Sequence, residues 1–294
     1  MPLAGFLLWG AISCTPNLPA VTPPDFSVPP SSPVALNSPT VQAGLPEPAA
    51  TLTETVSAAE TDISTAEPSP ETTASFQIYS PLEGIEIPQL EGMITNPFNP
   101  PPAGSDDPHA GVDLSDLLPD TQIAIAGRTV LAVLDGRVAG LIPDRFPYGN
   151  AIILETALAD LPAGWVNSLQ IPAMSDTPIT PIALSCPQGI PDYENTDGES
   201  LYILYAHLEQ TPALAMGDAV QIGQALGTVG MSGNALNPHL HVEMRVGPAG
   251  VPFNSMAHYD ASASLDEMTS YCTWRVGGQF RLIDPMTLFM LHSN

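Results

Sequence analysis

Leu240, Val242 and Met244 alternate with His239, His241, Glu243 and Arg245 along the chain. That is the period of two expected of a half-buried strand, and it sends both histidines out of one face. Upstream, residues 151–155 and 201–207 are runs of β-branched, aliphatic and aromatic residues that read as further strands. Residues 128–138, with Asp135-Gly136 in the middle, read as strand, tight turn, strand. The stretch 219–229, punctuated by Gly217-Asp218, Gly223 and Gly227, keeps the same rhythm. No stretch of useful length carries a helical stripe, so the predicted fold is mostly β, a small antiparallel sheet domain.

Two segments break this rhythm. Residues 156–200 and 248–282 are rich in Pro, Gly, Asp and Ser. Both exceed the roughly 12 to 15 residues beyond which structureless connections become uncommon. They read as two long loop insertions. Each holds one cysteine, Cys186 and Cys272. A disulfide between them in an oxidising compartment would tie the insertions together, contributing on the order of 4 kcal/mol in the chain-entropy picture. The other reading leaves two free thiols.

The first 75 residues follow different rules. Residues 3–13 form an apolar run too short to span a bilayer, ending in small residues before Cys14. Residues 1–14 therefore read as a signal peptide or lipoprotein signal. Ala11-Ile12-Ser13-Cys14 resembles a bacterial lipobox, which would make Cys14 a lipid anchor. Residues 15–75 are Pro, Thr, Ser, Ala and Glu with no basic residue, a composition that cannot bury enough apolar surface to offset its ordering entropy. A mobile tether is predicted there, with one globular domain over 76–294.

Charge narrows the possible partners. Thirty-one acidic residues stand against six basic ones, giving a formal net charge of -25. Such a chain is not expected to bind nucleic acid or to be held electrostatically on anionic lipid. With so few charges of any kind, individual ion pairs are predicted to contribute little.

The candidate chemistry lies in three places. Asp107-Pro108-His109-Ala110-Gly111-Val112-Asp113 sets His109 and Asp113 four apart around a glycine that leaves room for an ion. Tyr205-Ala206-His207-Leu208 delivers His207 at a strand end, and Pro238-His239-Leu240-His241 delivers two more imidazoles. Taken singly, each reads as an exposed loop or a structural histidine. Taken together, four of the six histidines fall beside strands, and two imidazoles with one carboxylate would leave a metal net positive with an open position.

In this order the motifs resemble the lysostaphin-like (LytM-type) zinc metallopeptidases, which cut peptidoglycan cross-bridges. Ser80-Pro81-Leu82, Tyr148-Gly149-Asn150, Gly217-Asp218-Ala219-Val220 and Gly230-Met231-Ser232-Gly233 extend the resemblance over about Tyr79 to Phe289, outside the insertions. It implies that His109, Asp113 and His241 hold Zn2+ and that His207 and His239 flank the site as the proton-handling pair, their individual roles open. It further implies a zinc metalloendopeptidase acting on stem or bridge peptides of peptidoglycan; with the leader the expected protein is secreted or lipid-anchored, and a monomer is expected. Glu155, Glu209 and Glu243 match no family motif and read as solvated strand-end carboxylates. His258 and His292 read as structural or exposed. Phe98-Asn99-Pro100-Pro101-Pro102 and Ala235-Leu236-Asn237 depart from the family pattern in the groove wall, away from the proposed ligands. Two other functions fit the same residues: a non-catalytic relative that binds the wall or regulates a hydrolase, and a secreted zinc protease acting on proteins.

Overall fold

The computed structural model describes residues 76–102, 105, 107–115, 125–174, 186–195 and 197–291. The leader, Cys14, the tether and His292 lie outside the described residues. Ten strands follow one another: β1 (Ile94–Asn96), β2 (Val112–Leu114), β3 (Thr129–Leu131), β4 (Gly136–Arg145), β5 (Gly149–Ala157), β6 (Glu199–Leu208), β7 (Ala219–Val220), β8 (Ala225–Thr228), β9 (Leu240–Pro248) and β10 (Arg281–Ile283). Among the described residues three α-helices join them, α1 (Ala163–Ser168), α2 (Leu265–Arg275) and α3 (Pro285–Leu291). The main sheet runs β1-β2-β9-β6-β5-β4-β7, with β10 also on β9, and β3 pairs with β8 in a second, small sheet. Every strand pairing is antiparallel, as the sequence predicts.

Strand β9 is the centre of the sheet. One of its edges carries β6 along its length, while the other is shared by β2 at 240–242 and β10 at 244–246. Leu240, Val242, Met244 and Val246 enter one core with Leu201, Ile203 and Tyr205 of β6 and Ile152 and Leu154 of β5. The opposite face meets a second core, built from Tyr202, Leu204, Val251, Phe253, Tyr271, Trp274 and Phe280.

Three expectations are corrected. The strand read as half-buried is buried at all nine positions, because 248–282 folds back over its polar face. The insertions are not loops throughout: 156–200 contains α1, and 248–282 contains α2 of 11 residues. A start signal for α2 stands in the sequence, since Ser264 and Glu267 close a capping box. Its buried positions are Tyr271, Cys272, Thr273 and Trp274 in succession, so the helix is enclosed at its C-terminal end and shows no stripe. Cys186 and Cys272 are joined by a disulfide, with Cα atoms 5.9 Å apart, so helix α2 is bound to the other insertion.

The third correction concerns 128–138. The expected hairpin does not form: β3 pairs with β8, and β4 pairs with β5 and β7. Between them Ala132, Val133 and Leu134 are all buried, so the chain passes through the core from one sheet to the other instead of turning on itself. The Val133 N–H donates to the Tyr205 hydroxyl at 3.0 Å, and Ala132 N–H to the Gln224 carbonyl at 2.9 Å. Partners from distant segments thus satisfy the backbone where a hairpin ladder would have done so.

Candidate metal centre

Register brings the first two groups together. Asp113 on β2 lies directly opposite His241 on β9, and His241 in turn faces Ala206 on β6. His109 joins them because its backbone is paired with Asn99 in both directions at 3.0 Å. His109 Nε2 is 3.1 Å from Asp113 Oδ1 and 3.2 Å from His241 Nδ1, and His241 Nδ1 is 2.8 Å from Asp113 Oδ1. The triangle is close to the edges of a tetrahedron about a zinc-sized ion, roughly 3.3 Å for bonds of about 2.0 to 2.1 Å. His109, Asp113 and His241 are accordingly a His-Asp-His group able to hold a metal.

Outer contacts aim two of these atoms. Asn96 Nδ2 donates to Asp113 Oδ2 at 3.0 Å, leaving Oδ1 for the centre. His109 Nδ1 donates to the Pro97 carbonyl at 3.0 Å, which leaves Nε2 facing the centre. Gly111 serves a purpose other than the one predicted. A Cβ there would lie 2.3 Å from the Val242 carbonyl oxygen and 2.8 Å from His241 Cε1, so the space it leaves is filled by the His241 ring and β9, not by an ion.

His207 and His239 complete the cluster. His239 Nδ1 donates to the Asn237 carbonyl at 2.8 Å, and His207 Nδ1 to the Ser232 carbonyl at 2.8 Å. The Nδ1–H of each ring is thus committed, Nε2 is the nitrogen left to act, and the ring centroids are 4.6 Å apart. Alternation alone would send His207 to the aliphatic face beside Tyr205. Instead the register shifts between Asn150 and Ile152 on β5, and His207 takes φ 62, so the bulge turns its ring to the centre while Leu208 regains the aliphatic core. Left-handed backbone at a histidine is uncommon, and here both its polar groups are paired, N–H to Tyr148 O and C=O to Gly230 N. Two sequence motifs supply that support: a Cβ on Gly149 or on Gly233 would collide with the other's backbone, so the segments at 148–150 and 230–233 meet at glycine-only distance.

The electrostatics follow from burial and neighbours. Burial works to raise the Asp113 carboxyl, but hydrogen bonds with His109 and His241 overcome it and hold the group well below the usual carboxylate range. Burial, aided by His241 and His239, pushes His207 down to about 3. For His241 burial opposes charge, yet Asp113 and Glu243 outweigh it and raise the ring to about 9. The site thus attracts positive charge at His241 and rejects it at His207.

The five residues line one groove of about 930 Å3, together with Thr95, Asn96, Phe146, Tyr148 and Leu236. Tyr259, Tyr271 and Arg275 close one side of it, all from the second insertion. Sequence reasoning gave these no part in the site. It also placed Glu243 in solvent, whereas Glu243 is fully buried, held between Arg245 Nε at 2.6 Å and Arg275 Nη1 at 3.0 Å, with the Tyr148 hydroxyl donating at 2.9 Å. Glu155 is likewise buried, paired with Arg137 at 2.8 Å at the far end of the sheet, while Glu209 is exposed as predicted. His258 is buried against Tyr271. Ion pairs, expected to matter little, join β9 to its cover through Arg275 and Glu243, where a buried carboxylate stripped of its cations would be costly.

Comparison with known proteins gives the cluster a family context. The model of peptidase family M23 matches residues 194–255, a segment that includes His207, His239 and His241. A comparison with curated proteins finds no match. Among solved structures, the chain is similar to the catalytic domain of lysostaphin from Staphylococcus simulans, at 21% identity and a TM-score of 0.32, over 55% of this chain and 86% of that one. It is similar to the catalytic domain of the prophage-encoded M23 protein EnpA from Enterococcus faecalis, at 21% identity and a TM-score of 0.30, over 54% and 85%. A zinc containing peptidase from Vibrio cholerae gives 22% identity and a TM-score of 0.29, over 51% of this chain and 32% of that one. Residues 194–255, then, are what is similar to peptidase family M23.

Proposed function

We propose that the chain is an extracytoplasmic zinc endopeptidase that hydrolyses stem or bridge peptides of bacterial peptidoglycan. The observation carrying this reading is the meeting of His109, Asp113, His241, His207 and His239 at one groove, with three ligating atoms 2.8 to 3.2 Å apart. Zinc, when bound by His109 Nε2, Asp113 Oδ1 and His241 Nδ1, supplies Lewis acidity toward the scissile carbonyl and lowers the pKa of a hydrolytic water.

The protein's own groups do the rest. His207 is neutral at pH 7, and its Nδ1–H is committed to Ser232 O, so Nε2 accepts the proton of the attacking water and later returns it to the leaving amine. His239, whose Nε2 lies 3.7 Å from Asp113 Oδ1, would act when that nitrogen carries a proton, donating Nε2–H to the oxygen on which negative charge develops.

The test is digestion of purified peptidoglycan and of casein by the full chain, with and without a chelator, alongside His241→Ala and His207→Ala. Cleavage of peptidoglycan but not casein, abolished by chelation and restored by zinc, is expected. His241→Ala should lose the metal, whereas His207→Ala should keep it and lose about 100- to 10,000-fold in kcat. Cleavage of casein alone would move the substrate to protein. Binding to the wall without cleavage would make the chain a non-catalytic binder.

A further inference from the structure

His241 raises a question that its role at the centre does not answer. Its Nδ1 faces Asp113 and His109, so when Nδ1 ligates a metal the ring's proton must sit on Nε2. That Nε2 is buried and has no hydrogen-bond partner. A buried N–H without an acceptor is costly, and the ring would be free to turn Nδ1 away. The closest carboxylate oxygen to it is Glu243 Oε2, at 3.6 Å and on the same face of β9 two residues on.

Glu243 is held for that task from three directions. Arg245 Nε meets Oε1 at 2.6 Å, and the Arg245 guanidinium is itself fastened to the Phe280 carbonyl at 2.9 Å and lies 5.2 Å from the Trp274 ring centre. Arg275 Nη1 meets Oε2 at 3.0 Å, and the Tyr148 hydroxyl donates to the same oxygen at 2.9 Å. Arg275 and Trp274 belong to α2, and Cys272 on that helix carries the disulfide. The insertion therefore does more than wall the groove.

Resting on the zinc reading above, we propose that Glu243 is the positioning residue of the metal centre, receiving the Nε2–H of His241 so that Nδ1 points at the ion, and that Arg275 of α2 keeps Glu243 in place. It makes α2, and the disulfide that restrains it, part of the metal site without any contact to the ion. A short closure of the 3.6 Å separation to hydrogen-bond length is the one movement required.

The test uses the full chain with Zn2+ and a competing chromophoric chelator. Glu243→Gln should weaken zinc affinity by about 10- to 100-fold at unchanged near-UV circular dichroism, with Glu243→Asp recovering part of the loss. Arg275→Met should weaken it less, in the same direction. Because a buried carboxylate variant can fail to fold, a second measurement uses the parent protein. Imidazole nitrogen NMR of the zinc-loaded chain should show His241 ligating through Nδ1 with a slowly exchanging, hydrogen-bonded Nε2–H. Ligation through Nε2, a rapidly exchanging Nε2–H, or a folded Glu243→Gln protein binding zinc within about twofold of the parent would each overturn the proposal while leaving the zinc reading intact. A parent chain that binds no zinc would remove both.

Discussion

One face of the main sheet rests on aliphatic side chains, and the other on aromatic rings and buried ion pairs. Leu114, Val242, Met244, Ile203 and Leu154 pack on the first. On the second, Tyr202, Phe253, Trp274 and Phe280 form edge-to-face pairs at 4.8 to 6.5 Å, and Glu243 with Arg245 and Arg275 is enclosed among them. The aliphatic face needs only apolar area, and many arrangements of similar volume would serve it. The aromatic face needs particular partners, because a buried carboxylate is tolerated only where its cations and donors stand in place. It is also the face from which His241 projects. Loss of cover should therefore cost stability on either face, but metal affinity on one alone.

Breaking the tether between the insertions should have the largest effect on that contrast. Replacing Cys186 and Cys272 together by serine removes a link across 86 residues and should lower unfolding free energy by about 4 kcal/mol, read from denaturant melts. Thiol counting in denaturant should find neither cysteine reactive until reductant is added. Next, Trp274→Ala should cost roughly 3 to 5 kcal/mol and also weaken zinc binding, since Arg245 loses the ring it lies against. Leu154→Ala on the aliphatic face should cost roughly 2 to 5 kcal/mol and leave zinc affinity unchanged; equal losses of affinity in both variants would erase the distinction.

Smaller changes sharpen it further. Gly111→Ala should cost about 2 kcal/mol, because a methyl group 2.3 Å from the Val242 carbonyl must push β9 or the His241 ring aside, and zinc affinity should fall with it. The smallest effect concerns pH. At Glu267 burial opposes ionisation, but the hydrogen bond from Arg145 prevails and the carboxyl is held down to about 2. A depressed carboxyl stabilises the fold above its unfolded value of 4.5 and loses that contribution as pH falls toward 2. Glu267→Gln should flatten this acid limb by about 1 kcal/mol, allowing for solvent at this partly open pair. Melting temperatures at pH 7 and pH 3 would measure it.

Much of the site could be read directly from residue order. The period of two over 239–245 places His239 and His241 on one side, and the structure keeps them there. The spacing of His109 and Asp113 brings both to the same centre, although Gly111 between them admits a ring and not an ion. Glu243 could not be read in this way. On its strand it looks like any polar residue on a solvent face, and only the return of 248–282 over that face buries it. A capping box at Ser264 and Glu267 announced α2, but its consecutive buried residues left no periodic stripe to accompany it. Helices enclosed at one end record their burial in contacts and not in spacing.

By itself the sequence determined where the long central strands would form, because alternation and β-branched runs are written in local spacing, and the order of its motifs, by resemblance to a known family, pointed to five residues for the site. The tertiary structure alone decided that 128–138 would divide between two sheets, that a bulge would turn His207 into the centre, and that an insertion would bury Glu243 behind His241. Each of those outcomes depends on which distant segment supplies a hydrogen bond, a countercharge or a covering ring, and alternation along a single strand carries no record of its partners.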